Sequence, residues 1–333
     1  MTSMSVRPAG LGDISQMGEL LLWGAQQREA SDSLLWPVAR DARASIEGAI
    51  RTDLERSDQS LHKGWFLAEA AGRLLGITHS MVVPVPPIYD VGERAPGLLH
   101  DDCVLADSVP AGTAEALLAA TEAALVAAGA GAMIASCPAS SPWRPFYERH
   151  GYRPVTHYLA KSGFQVRASP AAVRAALSED APAITRLGAR HRQMLSQLNP
   201  LFWRIHPEAD RRWEMFLRYM MTLQDREVLV AEATGSLHGY VVAQPASPLF
   251  IPTGHDLAHV GVIDDYYDLD FTESRTLQDG GLTAAGLLSS AESVFASRDF
   301  AAALVVCPAA WTSKAKLLEQ NGYRTAKLWM FRP

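Results

Sequence analysis

Apolar residues along the first half of the chain are spaced as in alternating strands and helices. The stretch from Trp65 to Val83 predicts a β-hairpin that turns at Gly72. Residues 112–128, rich in Ala, Leu and Glu, predict a long helix. Before the hairpin, the pattern predicts a strand at Val6-Arg7 and helices from Asp13 to about residue 60, the first of which the Asp13 carboxylate can cap. After the hairpin it predicts a strand at 98–106, the long helix, a strand at 133–136, a helix at 143–150 ended by Gly151, and a final strand or strand pair at 152–162.

The second half of the chain repeats the first. Five blocks return in the same order at offsets between 163 and 171 residues, too many for chance. In each of the five pairs the first-half block is given before its second-half match. The pairs are Val6-Arg7…Asp13 matched by Val173-Arg174…Asp180; Leu67–Gly76 by Val230–Gly239; Leu117-Leu118 by Leu287-Leu288; Cys137-Pro-Ala by Cys307-Pro-Ala; and Gly151-Tyr-Arg by Gly322-Tyr-Arg. We therefore predict two domains, 1–166 and 167–333, with a polar linker near 165–170, each a mixed sheet with helices on both faces.

Composition narrows the function classes. Of the 333 residues, 48% are hydrophobic and 20% charged, the net charge is −6, and no long run of Lys or Arg occurs, so a nucleic-acid partner is not expected. No apolar run approaches the roughly 20 residues of a membrane span. Three cysteines without a C-x-x-C pair, and ten histidines without H-E-x-x-H, indicate neither a disulfide framework nor a metal site. We expect a cytoplasmic enzyme without a membrane partner.

The segment Phe146-Tyr-Glu-Arg-His-Gly-Tyr-Arg-Pro154 resembles the FYExxGF motif of GNAT (Gcn5-related N-acetyltransferase) domains. The second half carries Leu317-Leu-Glu-Gln-Asn-Gly-Tyr-Arg324 at the equivalent place. The resemblance covers nearly the whole chain. It implies an α/β fold of two tandem GNAT-like domains, each with a mixed, mostly antiparallel sheet flanked by helices on both faces. It also implies transfer of an acyl group from acyl-CoA to an amine.

The family holds the cofactor pyrophosphate at [Q/R]-x-x-G-x-[G/A], where amides of a helix N-terminus face the phosphates. The segment Val109–Ala114 aligns with this motif and keeps Gly112 and Ala114, while Val109 replaces the Arg or Gln. An ordinary helix start with Thr113 as its cap is the alternative. Exposed backbone of the preceding strand holds pantetheine in the family. The resemblance therefore implies this cofactor-binding set: Cys103, Val104, Leu105, Val109, Ala111, Gly112, Thr113, Ala114 and Ser140.

The second copy departs from both family motifs. Its aligned segment, Asp279–Ala284, places an acid at the first position and Leu282 where the glycine belongs. Leu318 stands where the first copy has Tyr147. An acid close to a pyrophosphate is repulsive, so we predict that the second copy is degenerate and the first is active.

The resemblance implies Tyr147 as the acid that protonates the leaving thiol, and a carboxylate on the fourth strand, 98–106, as the base. Asp101 and Asp102 are the candidates; on a strand they point to opposite faces, and His100 shares a face with Asp102. Equally open are a core role for Tyr147, a solvated strand end for the acids, and a buried, inert thiol for Cys103. The acidic, aromatic segment 264–268 occupies the same region of the second copy.

These observations predict an acyl-CoA-dependent N-acyltransferase, with acetyl-CoA or another acyl-CoA as co-substrate and a small-molecule amine as acceptor. Three alternatives remain: a non-catalytic acyl-CoA-binding or scaffold protein, an active site in the second copy or at the seam between copies, and acyl transfer from a carrier-protein thioester. The sequence indicates no oligomeric state.

Overall fold

The computed structural model describes residues 4–55, 63–90, 92, 94–167 and 172–333. Its strands are β1 Ser5–Pro8, β2 Gly64–Ala70, β3 Arg73–Val82, β4 Pro96–Leu99, β5 Val104–Leu105, β6 Ala132–Pro138, β7 Arg153–Ser162, β8 Val173–Ala175, β9 Glu227–Ala233, β10 Ser236–Pro245, β11 Val260–Ile263, β12 Tyr266–Asp268, β13 Ala302–Pro308 and β14 Arg324–Arg332. Its α-helices are α1 Ile14–Ser31, α2 Ala42–Glu55, α3 Thr113–Ala127, α4 Trp143–Arg149, α5 Ala181–Leu198, α6 Ala209–Met220, α7 Leu282–Ser297 and α8 Thr312–Gln320. No helix within these ranges is long and apolar enough to cross a membrane.

The conserved spacing of the first repeat block has a structural cause. Arg7 of β1 donates to both oxygens of Asp13 at 2.8 Å, just before α1 begins. In the second copy Arg174 pairs in the same way with Asp180 ahead of α5. The carboxylate of Asp13 also accepts from the amide of Gly10 and makes no bond to the first turn of α1, so the predicted capping of α1 by Asp13 is wrong.

The strands form one continuous mixed sheet rather than two separate ones. Its order is β1-β2-β3-β4-β6-β14-β7-β13-β11-β10-β9-β8, with β5 beside β3 and β12 beside β10. Only β4 with β6 and β11 with β13 pair in parallel among the described strands; all other pairs are antiparallel. The predicted α/β class, mostly antiparallel pairing and tandem arrangement are confirmed.

The centre of the sheet exchanges strands between the copies. The last strand of the chain, β14, lies between β6 and β7 of the first copy. The last strand of the first copy, β7, pairs with β13 of the second copy over seven residue pairs. Strands β7 and β14 each form hydrogen bonds with strands of the other copy. The predicted domain boundary at 166/167 therefore divides the sequence into its two repeats, and it stays a prediction for the structural domains.

Helices cover both faces of the sheet because alternate strand residues point to opposite sides. In β2, Leu67 packs with Met17 of α1 and Ile46 of α2. Its neighbour Ala68 packs with Leu117 of α3 on the other face. The predicted two-sided arrangement of helices is confirmed.

The predicted strand at 98–106 is wrong in one respect. It is two short strands, β4 and β5, separated by a turn at residues 100–103. The predicted helical region before residue 60 consists of α1 and α2, and residues 56–62 lie outside the described part of the chain. The predicted linker at 165–170 is described only as far as residue 167.

Candidate active site

The turn after β4 opens a cleft in the sheet of the first copy. Strands β4 and β6 pair in parallel from Pro96 with Ala132 to Leu99 with Ala135. Beyond Leu99 the chain turns away, and β5 pairs with β3 instead. Since β6 continues beside β14, the two strands diverge and leave a cleft of about 670 Å³.

Helix α3 begins at the mouth of this cleft with its first amides free. Gly112 precedes the helix in the left-handed conformation at φ 85°, and an added Cβ there would have no atom within 4 Å. The hydroxyl of Thr113 donates to the carbonyl of Pro110 at 2.7 Å and caps no amide of the helix. Within the described residues, the amides of Ala114 and Glu115 donate to no acceptor. Free amides at a helix N-terminus attract anions such as phosphate.

All nine residues of the predicted cofactor-binding set line this one cleft: Cys103, Val104, Leu105, Val109, Ala111, Gly112, Thr113, Ala114 and Ser140. Their binding role stays a prediction. Sequence reasoning missed several side chains that line the same cleft, including Trp23, Arg28 and Arg149. Arg28 and Trp23 lie on α1, far away in the chain and outside any motif, so only the fold brings them to the cleft.

A smaller cavity of about 100 Å³ lies beside the cleft. Arg28 lines both spaces, and its Nη2 donates to the main-chain oxygen of Asp101 at 2.8 Å. Apolar residues of α1 and α2 form one wall: Leu21, Ile46 and Ala49. Pro248, Pro252 and Thr253, from the loop between β10 and β11 of the second copy, also line it.

Asp101 and Asp102 face different spaces, although they lie in a turn rather than on a strand. Asp101 lines the large cleft and pairs with the Nζ of Lys327 at 2.9 Å. Asp102 lines the small cavity together with His100, although the strand alternation from which a shared face was predicted is absent at this turn. Of the two predicted bases, only Asp102 is free of a buried ammonium partner.

Sequence reasoning missed the histidine at the centre of the small cavity. His79 of β3 donates through Nδ1 to Asp102 at 3.0 Å, and its Nε2 lies 3.6 Å from Asp53. The His79 ring stacks on Trp65 at 3.8 Å on one side and on His100 at 4.2 Å on the other. Asp53 is held in turn by Lys63 at 2.8 Å and by the indole N–H of Trp65 at 3.3 Å. These residues come from four separate segments, and no local pattern links them.

Burial controls the ionisation of these groups. It opposes the charge of Asp102, but the charge and hydrogen bond of His79 outweigh it and hold the pKa of Asp102 well below its ordinary value. Burial, and then the proximity of His79, lowers the pKa of His100 well below 6.5. Asp102 is therefore an anion and His100 a neutral imidazole at pH 7.

Tyr147 does not line the cleft. Its side chain is fully buried among Trp143, Phe146 and Tyr152, and its hydroxyl has no hydrogen-bond partner among the described residues. Burial raises its pKa well above 10. Cys103, which packs in the same cluster, does line the cleft. This geometry agrees with a core role, and action as the acid would need Cys103 to move aside.

The equivalent positions of the second copy are filled by its own side chains. The carboxylate of Asp270 accepts from the amides of Thr283 and Ala284 at 3.1 and 3.2 Å, so the tip of α7 is already occupied. The Nζ of Lys314, 1% exposed, donates to the main-chain oxygen of Tyr266 at 2.7 Å. Tyr266 corresponds to Cys103, because β12 pairs with β10 in the register that β5 keeps with β3. The obstruction comes from Asp270 and Lys314 rather than from the substitutions at Asp279 and Leu282.

One group of side chains among the described residues could hold a metal ion: His238, Asp268 and Asp270. Their contacts to protein groups are only partly complete. Oδ1 of Asp268 accepts from the amide of Asp270 and from His238 Nδ1 at 2.9 Å, and Asp270 holds the tip of α7. Oδ2 of Asp268 is buried and has no hydrogen-bond partner among the described residues.

Comparison with known proteins supports the fold and goes no further. No protein-family model matches the chain, and no curated protein sequence matches it. Its structure is similar to a GCN5-related N-acetyltransferase from Sphaerobacter thermophilus, with a TM-score of 0.58 and 15% identity over 99% of this chain and 95% of that one. It is also similar to a tandem GNAT protein from the clavulanic acid biosynthesis pathway, with a TM-score of 0.51 and 13% identity over 99% and 97%.

The chain therefore has the GNAT fold. It has that fold in its tandem form, as the repeat and the segment at 146–154 predicted.

Proposed function

We propose that this protein is an N-acyltransferase that uses acyl-CoA, with acetyl-CoA as donor and a small-molecule amine as acceptor. One observation carries the proposal: the helix tip at the diverging strands is open in the first copy and occupied in the second. An open tip beside a long cleft suits a diphosphate joined to an extended arm. The active site is thus assigned to the first copy, and a cytoplasmic location is part of the same proposal.

The donor would lie with its pyrophosphate at the amides of Ala114 and Glu115. Because Gly112 presents no Cβ to the cleft, the phosphates can approach the backbone closely. The pantetheine arm would run along β5, at Cys103, Val104 and Leu105. It would end near Arg28, the side chain that lines both the cleft and the small cavity. This places the thioester next to the small cavity.

Direct transfer needs the acceptor in the small cavity, on the other side of Arg28 from the thioester. The amine loses a proton, attacks the thioester carbonyl, and expels the thiolate of CoA, whose basicity is close to that of cysteine. Holding the two reactants together supplies most of the rate. Asp102 is the predicted carboxylate that serves this step, Asp101 is its poorer alternative because of Lys327, and Tyr147 remains the proposed acid.

A non-catalytic acyl-CoA-binding protein is the second candidate. Two observations favour it: Tyr147 is buried away from the cleft, and Val109 replaces the usual Arg or Gln. Binding of acetyl-CoA without transfer to any amine would support this candidate over the first.

Calorimetric titration with acetyl-CoA tests the donor site. Gly112→Glu should abolish binding, because it adds bulk and negative charge where the diphosphate is expected. Gly129→Glu is the matched control. Gly129 also has a positive φ, 91°, and open space at its Cβ, but it follows the other end of the same helix, about 22 Å away along its 15 residues. Equal binding by wild type and Gly112→Glu contradicts the assignment to the first copy.

A further inference from the structure

We propose that the small cavity of the first copy binds the amino group of a short-chain aliphatic primary amine, and that His79 is the base that takes its proton. The proposal rests on the proposed function and assigns the acceptor class and a catalytic residue to that site. Asp102 then takes no proton from the amine itself; it is a positioning residue, which holds the imidazole of the base His79 in place through its hydrogen bond to Nδ1.

Two buried nitrogen atoms lack a hydrogen-bond partner in this cavity. The Nε2 atoms of His79 and of His100 are both inaccessible, and neither has a partner among the described residues. The His79 side chain is only 10% exposed. A buried polar atom without a partner costs free energy, so a native site whose two stacked imidazole rings each keep one is suited to a ligand that bonds to them. An amino group can donate to both.

The apolar side chains that line the same cavity indicate the chemistry of the remainder of the ligand. Leu21, Ile46 and Ala49 present apolar side chains, which suit a hydrocarbon chain. The volume of about 100 Å³ is smaller than the 150 Å³ cavity that admits benzene, so the site holds an end group of about four heavy atoms. The carboxylate of Asp53, 3.6 Å from His79 Nε2, favours arrival of the amine as an ammonium ion.

The proton count of the reaction balances with one base. The ammonium gives one proton to His79 Nε2, and its lone pair forms the new N–C bond at the thioester carbonyl. The C–S bond then breaks with its electron pair on sulfur. The second proton of the attacking nitrogen goes to the thiolate, and His79 returns its own proton to water after release of the amide. No oxidant, reductant or metal is required.

The charge balance around His79 allows this role. Among the described residues, the titratable or charged groups that line the cavity with it are Asp102 and His100 after β4, Asp53 of α2, Lys63 before β2, and Arg28 of α1. Within this described part of the chain, two anions and two cations therefore accompany the imidazole and its neutral neighbour His100. A proton arriving on His79 is stabilised by its hydrogen bond to Asp102.

Acyl transfer to ethylamine, n-propylamine and n-butylamine tests the proposal, with release of the CoA thiol as the signal. His79→Asn keeps a donor toward Asp102 but cannot take a proton, so kcat/KM should fall about 100-fold or more. His79→Gln, which keeps a polar group near the Nε2 position, should show the same loss, whereas acetyl-CoA binding by calorimetry should be unchanged in both variants.

His191→Asn is the matched control. His191 pairs through Nδ1 with Asp265 at 3.0 Å, and Asp265 holds the position in the second copy that Asp102 holds in the first. This variant should keep the activity and pH profile of the wild type. In the wild-type protein, n-butylamine should shift the imidazole ¹⁵N signals of His79 and His100 and leave that of His191 in place.

The possible failures are distinguishable. Lack of acetyl-CoA binding to the wild type overturns the proposed function itself. Binding of acetyl-CoA without turnover of any of the three amines, or turnover that survives in His79→Asn at the wild-type rate, overturns the acceptor proposal and leaves the donor site standing. Unchanged His79 and His100 signals in the presence of n-butylamine overturn it as well.

Discussion

The Nζ of Lys327 lies 2.9 Å from the Oδ2 of Asp101, and both side chains are almost fully buried. Lys327 belongs to β14, the last strand of the chain, whereas Asp101 lies in the turn that opens the cleft of the first copy. The same Nζ donates to the main-chain oxygen of Phe250 at 2.7 Å, in the loop of the second copy that borders the small cavity. One ammonium group thus joins the cleft, the exchanged strand and the covering loop.

This ion pair should contribute to stability rather than to proton transfer. Asp101→Ala or Lys327→Ala leaves the other charge buried and alone, so each should lower the free energy of unfolding by about 3–5 kcal/mol. Chemical denaturation measures it. The exposed pair of Arg144 and Glu148 is the control, and Glu148→Ala should cost about 1 kcal/mol or less. A cost for Asp101→Ala as small as that of the control contradicts the structural role.

The exchange of β7 and β14 predicts that the two copies unfold together. Removal of either copy leaves the partner strand of β6 or of β13 absent and exposes new sheet edges. The full chain should therefore show a single thermal transition, with equal calorimetric and van't Hoff enthalpies. Residues 1–166 expressed alone should not fold cooperatively. Two resolved transitions, or a stable 1–166 fragment, would show that the exchanged strands are not essential.

In the second copy, Asp270 and Lys314 bond to the main-chain groups that correspond to the proposed cofactor site. We therefore predict that each chain binds one acetyl-CoA. Calorimetry should give a stoichiometry of one for the wild type. Asp270→Ala removes the acceptor for the first amides of α7 and should cost about 0.5–2 kcal/mol of stability. It should not add a second binding site, because Lys314 still occupies the main-chain oxygen of Tyr266. A stoichiometry of two in the wild type would place a working site in the second copy.

Asp268 predicts a specific dependence of stability on pH. Its side chain is fully buried, and burial raises its pKa from 3.8 to about 7 against the opposing hydrogen bonds from the amide of Asp270 and from His238. The folded state therefore binds this proton more tightly than the unfolded state. The resulting stabilisation is fully present below about pH 4 and is lost as the pH rises toward 7.

Asp268→Asn removes this titration and keeps the shape of the side chain. The difference in unfolding free energy, wild type minus variant, should increase as the pH falls from 7.5 to 4.5. Denaturant unfolding at several pH values measures it, and contributions from other groups cancel in the difference. Two curves that stay parallel across this range would contradict the assignment.

Most elements, and the pairing of β2 with β3 in the hairpin, were predictable because their signals are local. The turn at Gly72 has two consecutive positive φ values, 52° at Ala71 and 74° at Gly72, and glycine adopts the second of these without steric cost. The helix starting at Thr113 follows a glycine that takes the left-handed conformation. The break between β4 and β5 was missed, since residues 100–103 carry neither glycine nor proline to mark a turn.

The second copy illustrates a different limit. Its departure from the family motif at Asp279 and Leu282 predicts an unsuitable site, but the groups that occupy the corresponding positions in the structure are Asp270 and Lys314. Lys314 lies on α8, more than forty residues after the strand oxygen that it bonds. A pairwise alignment of the copies shows which residues are lost and cannot show which side chains replace the missing ligand.

By itself, the sequence determined that this protein is a tandem repeat of one α/β domain, because repeated blocks, helix starts and turns are local signals. Its resemblance to GNAT domains added the expectation that segment 109–114 borders the cofactor cleft. Only the tertiary structure brought His79 between Asp53 and Asp102, set Lys327 against Asp101, and closed the small cavity with a loop of the other copy. These contacts join segments far apart in the chain through the exchanged strands, and pairing between distant strands leaves no periodic signal in either segment.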